Sequence, residues 1–242
     1  MRTGQRWAAT VARVAGRVVA VPLGAVARWR GGKPMHPRGV VLDAVLERHG
    51  STVPWGVPWL DDPATEAALV RLSRGAGLPA PLPDLLGLAV RVPGGTEPVD
   101  LLLSTTGSGP LTRMLPVLRR DGAAVHSSIM GYRSAAGTLR LAAFPEAGQL
   151  LSEPRPLADE VARRDRCFTL AAARGGGSWQ PFARLRLTAP RPPLDPDVAF
   201  DAVRHPPPGL VPDGPLAGFR APAYARARAA RRSASGAEGP GS

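Results

Sequence analysis

Apolar and polar residues alternate with period two along most of the chain beyond residue 38. Val70 and Leu72 are interleaved with Leu69, Arg71 and Ser73, and Leu86, Leu88, Val90 and Val92 with Gly87, Ala89 and Arg91. Successive side chains of a strand point to opposite faces, so this pattern predicts half-buried antiparallel strands. Eight are expected, near 38–47, 66–73, 86–92, 99–105, 123–130, 137–144, 166–174 and 180–188. Turn residues separate the runs, as at Pro93-Gly94-Gly95. Eight strands can close into a barrel whose interior holds one ligand or is filled by side chains. The expected fold class is mainly β, in the α+β sense.

The remaining segments read differently. Residues 111–120 have the character of a short helix interrupted at Pro116, and 154–165 that of a helix between the sixth and seventh strands. Ten prolines between 190 and 222 predict an extended segment wrapped across the barrel. Residues 223–232 (AYARARAARR) favour a short basic helix. The Ser, Gly, Ala and Pro tail predicts disorder. The chain thus divides into a basic arm (1–34), a barrel (35–190), a wrap with a C-terminal helix (191–232) and a tail (233–242). The arm has no acidic residue, and Arg2, Arg6, Arg13, Arg17 and Arg28 recur at helical intervals. It reads as a solvated or subunit-exchanging helical arm, or as an amphipathic segment lying on anionic lipid.

Composition narrows the chemistry. With 44% hydrophobic residues the chain can build a core, and 28 Gly with 28 Pro suit many short strands joined by turns. The net charge of +12 is almost all arginine, with Lys33 the one lysine, and attracts anionic ligands or surfaces. A nucleic-acid partner is not expected: no helix-turn-helix, zinc-finger or RNP-like motif is present, and 5% aromatic residues give little stacking surface. Cys167 is the single cysteine, so no intramolecular disulfide forms, which suits a reducing cytoplasm. His36, His49, His126 and His205 form no paired metal motif. Arg13 and Arg17 interrupt the apolar run 11–27, against a signal peptide, and the expected location is cytoplasmic.

Five segments, in order, resemble haem catalases and the smaller catalase-related peroxidases. Met35-His36-Pro37-Arg38-Gly39 is similar to the segment that carries the distal histidine, Val70-Arg71-Leu72-Ser73 to the next strand, and Pro83–Arg91 to the one after it. Asp100-Leu101-Leu102 resembles the run before the catalytic asparagine. Phe200-Asp201, Pro207-Pro208-Gly209-Leu210, Gly218-Phe219-Arg220 and Tyr224 follow the family's C-terminal order. The resemblance implies an eight-stranded antiparallel catalase-type barrel, a haem cofactor, and activity on hydrogen peroxide or organic hydroperoxides as a weak peroxidase. It implies that Tyr224 ligates the haem iron as phenolate, with Arg220 one helical turn away. Arg71 and Arg231 match positions that pair with haem propionates, and Met35 a residue packed on the haem face. His36 would be the distal acid–base and Ser73 would fix its tautomer. The exposed arm and the Pro-rich wrap are compatible with exchange between the subunits of a homo-oligomer.

The sequence also departs from the family. Thr105 is taken as the nearest counterpart of the missing asparagine, and Leu86 stands where an arginine is expected before Gly87. Two alternatives therefore stand beside the enzyme. One is a catalase-type barrel that binds an apolar or anionic ligand without haem. The other is a phosphodiesterase-type hydrolase, which no metal cluster or phosphate-cradling loop supports. Without the resemblance, His36 reads as a surface-turn histidine, Tyr224 as a helix anchor, and Trp55 and Trp59 as core or contact residues. His126 and His205 are given no chemical role.

Overall fold

The computed structural model describes residues 38–94, 97–146 and 148–213. The expected alternation builds ten strands: β1 (Arg38–Arg48), β2 (Ala64–Arg74), β3 (Leu86–Val92), β4 (Val99–Thr105), β5 (His126–Ser127), β6 (Gly131–Ser134), β7 (Gly137–Pro145), β8 (Arg166–Arg174), β9 (Gln180–Pro190) and β10 (Val211–Asp213). Eight of them close a ring in the order β7-β5-β4-β3-β2-β1-β9-β8, completed by a direct β7–β8 ladder. Every pairing is antiparallel. β6 and β10 extend the sheet beside β7 outside the ring. Register shifts opposite Asp43/Ala44 and Leu170/Ala171 leave Thr188 and Phe182 as extra residues of β9, and bend that strand where the sheet must curl.

One side chain in two points into the ring. Val40, Leu42 and Leu46 of β1, Val70 of β2, Val90 of β3, Leu139 of β7, and Leu185 and Leu187 of β9 are fully buried there. These belong to one continuous apolar cluster, so the barrel is a filled core. A short helix, α1 (Pro58–Asp61), closes one end with Trp59 and Leu60. The Asp61 carboxylate accepts from the amides of Trp55 and Val57 at 2.9 and 3.0 Å, which satisfies amides ahead of the helix. The helix α2 (Pro154–Arg163) begins with Pro154 and lays Leu157, Ala158 and Val161 against the barrel at β9 and β1.

Two expected elements differ. The strand expected over 123–130 is only two residues long, because hydroxyls take over its hydrogen bonding. Ser127 Oγ accepts from the Ile129 amide, Ser128 Oγ donates to the Met130 carbonyl, and Ile129 turns to φ 54°. The helix expected over 111–120 is a single 3-10 turn, Thr112–Met114. Pro116 cannot donate within a helix and instead bridges Thr106 in extended conformation.

The Pro-rich segment crosses the outer wall strand by strand. Arg191 donates its amide to the Val41 carbonyl and the Val41 amide donates to Leu194, which prolongs the β1 edge. Asp195 then pairs with Arg71 of β2, and the Ala199 carbonyl accepts from Arg91 of β3 at 2.6 Å. The Asp201 amide donates to Asp100 Oδ2 of β4 at 2.7 Å, and the His205 carbonyl accepts from the Asp100 amide. Among the described residues no helix is long and apolar enough to cross a membrane.

Candidate functional site

Register decides which side chains share a face. On β2, Val70 and Leu72 lie in the core, so Leu69, Arg71 and Ser73 face outward. Following Ser73 across the ladders gives Gly39 on β1, Gly87 on β3, Ser104 on β4 and Ser127 on β5. One row along the outer wall therefore carries only Gly and Ser. Neighbouring Cα atoms in such a row are about 5 Å apart. Ser73 and Ser104 flank Gly87, each less than a tenth exposed. The next outward row is Arg71, Ala89 and Leu102, whose larger Arg71 and Leu102 side chains bound the low one.

Gly39 is small for a reason. A Cβ there would sit 2.7 Å from Arg71 Nη2, inside van der Waals contact. A side chain there would push the end of Arg71 aside from its path over β1. The guanidinium meets Asp195 as a fork, Nε to Oδ1 at 2.7 Å and Nη2 to Oδ2 at 2.9 Å. Of the family-matched residues, the structure thus brings Arg71 and Ser73 together on one face beside Gly39. Met35, His36, Arg220, Tyr224 and Arg231 lie outside the described residues.

Thr105 does not join them. It follows Leu103 and Leu101 on the inward side of β4, and is wholly buried. Its hydroxyl is committed to the backbone, donating to the Val117 carbonyl at 2.7 Å and accepting from the Leu86 amide at 3.2 Å. Ser104 holds the outward position instead. The signal was available in the period-two pattern: Asp100, Leu102 and Ser104 share one face of β4, and Thr105 falls on the other. Leu86 likewise lies beside Arg74, off the Gly87 row.

Asp100 has a bracing role. It is fully buried, and its carboxylate binds Arg91 through Nε at 2.8 Å and Nη2 at 2.6 Å while accepting the Asp201 amide. Arg91 also lies 5.2 Å over the ring of Phe200. The Asp-Leu-Leu and Phe-Asp segments are therefore two halves of one clasp.

Two further groups sit away from the wall. His126 pairs with Thr105 across β4 and β5 and is wholly buried. Its Nδ1 lies 2.8 Å from the Ala124 carbonyl, and among the described residues Nε2 has no hydrogen-bond partner. Burial pushes its pKa down to about 4, so the ring is neutral at pH 7. Cys167 lines a cleft of about 180 Å³ with Glu146, Asp165, Arg166 and Arg184. Burial pushes the Cys167 thiol up, which keeps it protonated and unreactive. Among the described residues no three metal-ligating groups converge.

No protein-family model matches this chain, and no curated protein sequence does. Solved structures do. A fungal catalase superposes with a TM-score of 0.54 at 12% identity, over 79% of this chain and 58% of the other. Catalase A from Saccharomyces cerevisiae superposes with a TM-score of 0.60 at 10% identity, over 85% of this chain and 63% of the other. The chain therefore spans about three fifths of the length of these catalases. The likeness is one of fold, and the fold is the closed eight-stranded antiparallel barrel of catalases.

Proposed function

We propose that this protein binds haem against the outer wall of its barrel and acts on peroxide or organic hydroperoxides as a weak peroxidase. The observation that carries the reading is the row Gly39-Ser73-Gly87-Ser104 on a catalase-fold barrel. Side chains this small leave room for a flat macrocycle to approach the sheet, and larger ones would fill it. A bound haem would supply redox chemistry toward peroxide at a ferric iron.

The chain's own residues would divide the remaining work. Tyr224 would hold the iron through its phenolate, with the Arg220 cation favouring that charge. His36, three residues ahead of Gly39, would take a proton from one peroxide oxygen and return it to the other. Ser73 would set the imidazole's tautomer by a hydrogen bond. Ser104, in place of an amide, would orient peroxide with a hydroxyl, which rotates freely and so orients less firmly. That substitution is why the activity proposed is slow.

Arg71 fits a carboxylate partner, since its fork already grips one. That partner is Asp195 of the same chain, so a haem carboxylate binds Arg71 by exchange with Asp195. The filled interior favours the outer wall over a ligand site inside the barrel.

Titration of the full chain with ferric haem tests the reading. A one-to-one complex with a tyrosinate-type absorption spectrum is expected, and Tyr224→Phe should abolish that spectrum. In the loaded protein Ser104→Asn should raise peroxide turnover about tenfold, because an amide donor is fixed in direction. A folded protein that binds no haem would end the proposal.

A further inference from the structure

Three loops meet at the rim where β1 begins and β2 ends, and one buried cation ties them together. Arg74 is fully buried. It donates from Nε to the Leu78 carbonyl at 2.6 Å, from Nη2 to the Leu82 carbonyl at 2.5 Å, and from Nη1 to Ser152 Oγ at 2.5 Å. Ser152 passes the connection on, donating to the Arg120 carbonyl. Asp84 and Arg119 exchange both backbone hydrogen bonds, at 2.9 and 2.7 Å. Segments 75–85, 117–121 and 150–153 therefore form one braced surface.

What this brace presents to solvent is apolar. Leu78, Leu82, Leu118 and Leu151 are 42%, 49%, 39% and 44% exposed. Segment 75–83 reads Gly-Ala-Gly-Leu-Pro-Ala-Pro-Leu-Pro without a charge. Loops held rigid could have turned these leucines inward, and here their backbone is fixed so that they stay out.

The charges beside the leucines are mostly arginines, with Asp159 an exposed acid one turn on from Arg155. Arg119 and Arg120 are exposed beside Leu118, and Arg155 beyond Leu151, each without an acidic partner among the described residues. The other neighbouring carboxylates are turned inward. Asp84 accepts the amides of Ala76, Leu78 and Leu85, Glu153 binds Arg38 and the Ala80 amide, and Asp121 accepts the amides of Ala123 and Leu150.

We propose that this rim is a peripheral docking surface for anionic phospholipid bilayers. The leucines enter the boundary between headgroups and acyl chains, and the arginines bind lipid phosphates. Charge selects this occupant over two others. Residues 1–34 have no acidic residue, and 214–242 carry five arginines against Glu238 alone, so both ends are strongly basic and neither complements an arginine rim. A second copy brings the same +12 charge. Both basic segments are instead drawn to the same anionic membrane. The surface is independent of haem.

Co-sedimentation of the full chain with vesicles tests this. Binding is expected to vesicles of phosphatidylcholine mixed with phosphatidylglycerol and not to phosphatidylcholine alone, and to weaken as salt is raised. The double substitution Leu78→Ser with Leu82→Ser should cut vesicle affinity at least about tenfold, since lipid anchoring scales with buried apolar carbon. It should leave the circular dichroism spectrum and the melting transition in place, because both backbone carbonyls still accept from Arg74. An environment-sensitive fluorophore on Leu82→Cys, in a Cys167→Ser background, should shift to the blue on anionic vesicles. Unchanged vesicle binding by the leucine variant would assign the interaction to the basic arm and overturn the proposal. So would an absent fluorophore shift, or a change in the variant's self-association in place of its lipid affinity.

Discussion

At Arg71 the chain presents a carboxylate-binding fork and also its occupant. Nε and Nη2 both bind Asp195, whose side chain is 30% exposed. A partly exposed ion pair contributes little to stability, about 1 kcal/mol or less, so it can open for a competing carboxylate. If haem propionate takes this fork, Asp195 acts as a competitor built into the wrap. Asp195→Ala should then tighten haem binding several-fold, and Arg71→Ala should weaken it, both measured by absorption titration. A ligand bound elsewhere would leave Asp195→Ala without effect on affinity. Gly39 belongs to the same argument, since a side chain there would press on the guanidinium of Arg71. The glycine of the Met-His-Pro-Arg-Gly segment thus lies under Arg71, a contact that sequence alone did not disclose.

At the scale of elements, the wrap is held by few contacts of high value. Asp100 is fully buried, binds Arg91 through two hydrogen bonds and accepts the Asp201 amide. Removing one partner of such a pair leaves Arg91 without its counter-charge, at a cost of about 3–5 kcal/mol for a fully buried pair. Arg91 is 23% exposed on its side chain, which places the effect toward the low end. Asp100→Ala should lower stability to denaturant by about 3 kcal/mol and make the segment 191–205 cleavable by protease while the barrel survives. Unchanged protease resistance would mean that the clasp does not hold the wrap. Most strands could be read from the chain because each buries one face, which forces period two to appear in the sequence. β5 could not, because Ser127 and Ser128 replace ladder hydrogen bonds by side-chain ones, a local competition that alternation does not encode. The helix expected at 111–120 failed for a related reason: Pro116 was seen as an interruption, and its pairing with Thr106 depends on a fold-level contact. In the candidate site the face of Ser73 was legible, but the choice between Thr105 and Ser104 needed the register of β4, which counting from Asp100 would have supplied.

For the whole molecule, the closed ring makes protonation inside it a global event. His126 lies within the wall with its pKa lowered from 6.5 to about 4, chiefly by burial. Above pH 6.5 the ring is neutral in both folded and unfolded chains and pH has no purchase through it. Between pH 6.5 and 4 the unfolded chain takes up a proton that the folded chain refuses. Stability therefore falls as pH falls through that window, and the lowered folded value sets where the loss ends. The full loss is about 3 kcal/mol, of which about 2 kcal/mol is spent by pH 5, before most carboxylates begin to titrate. The imidazole sits in a closed wall, with β5 paired to both β4 and β7. Urea unfolding at pH 7 and pH 5 should show that loss in the wild type and a much smaller one in His126→Leu. Equal losses in both proteins would place the acid sensitivity elsewhere.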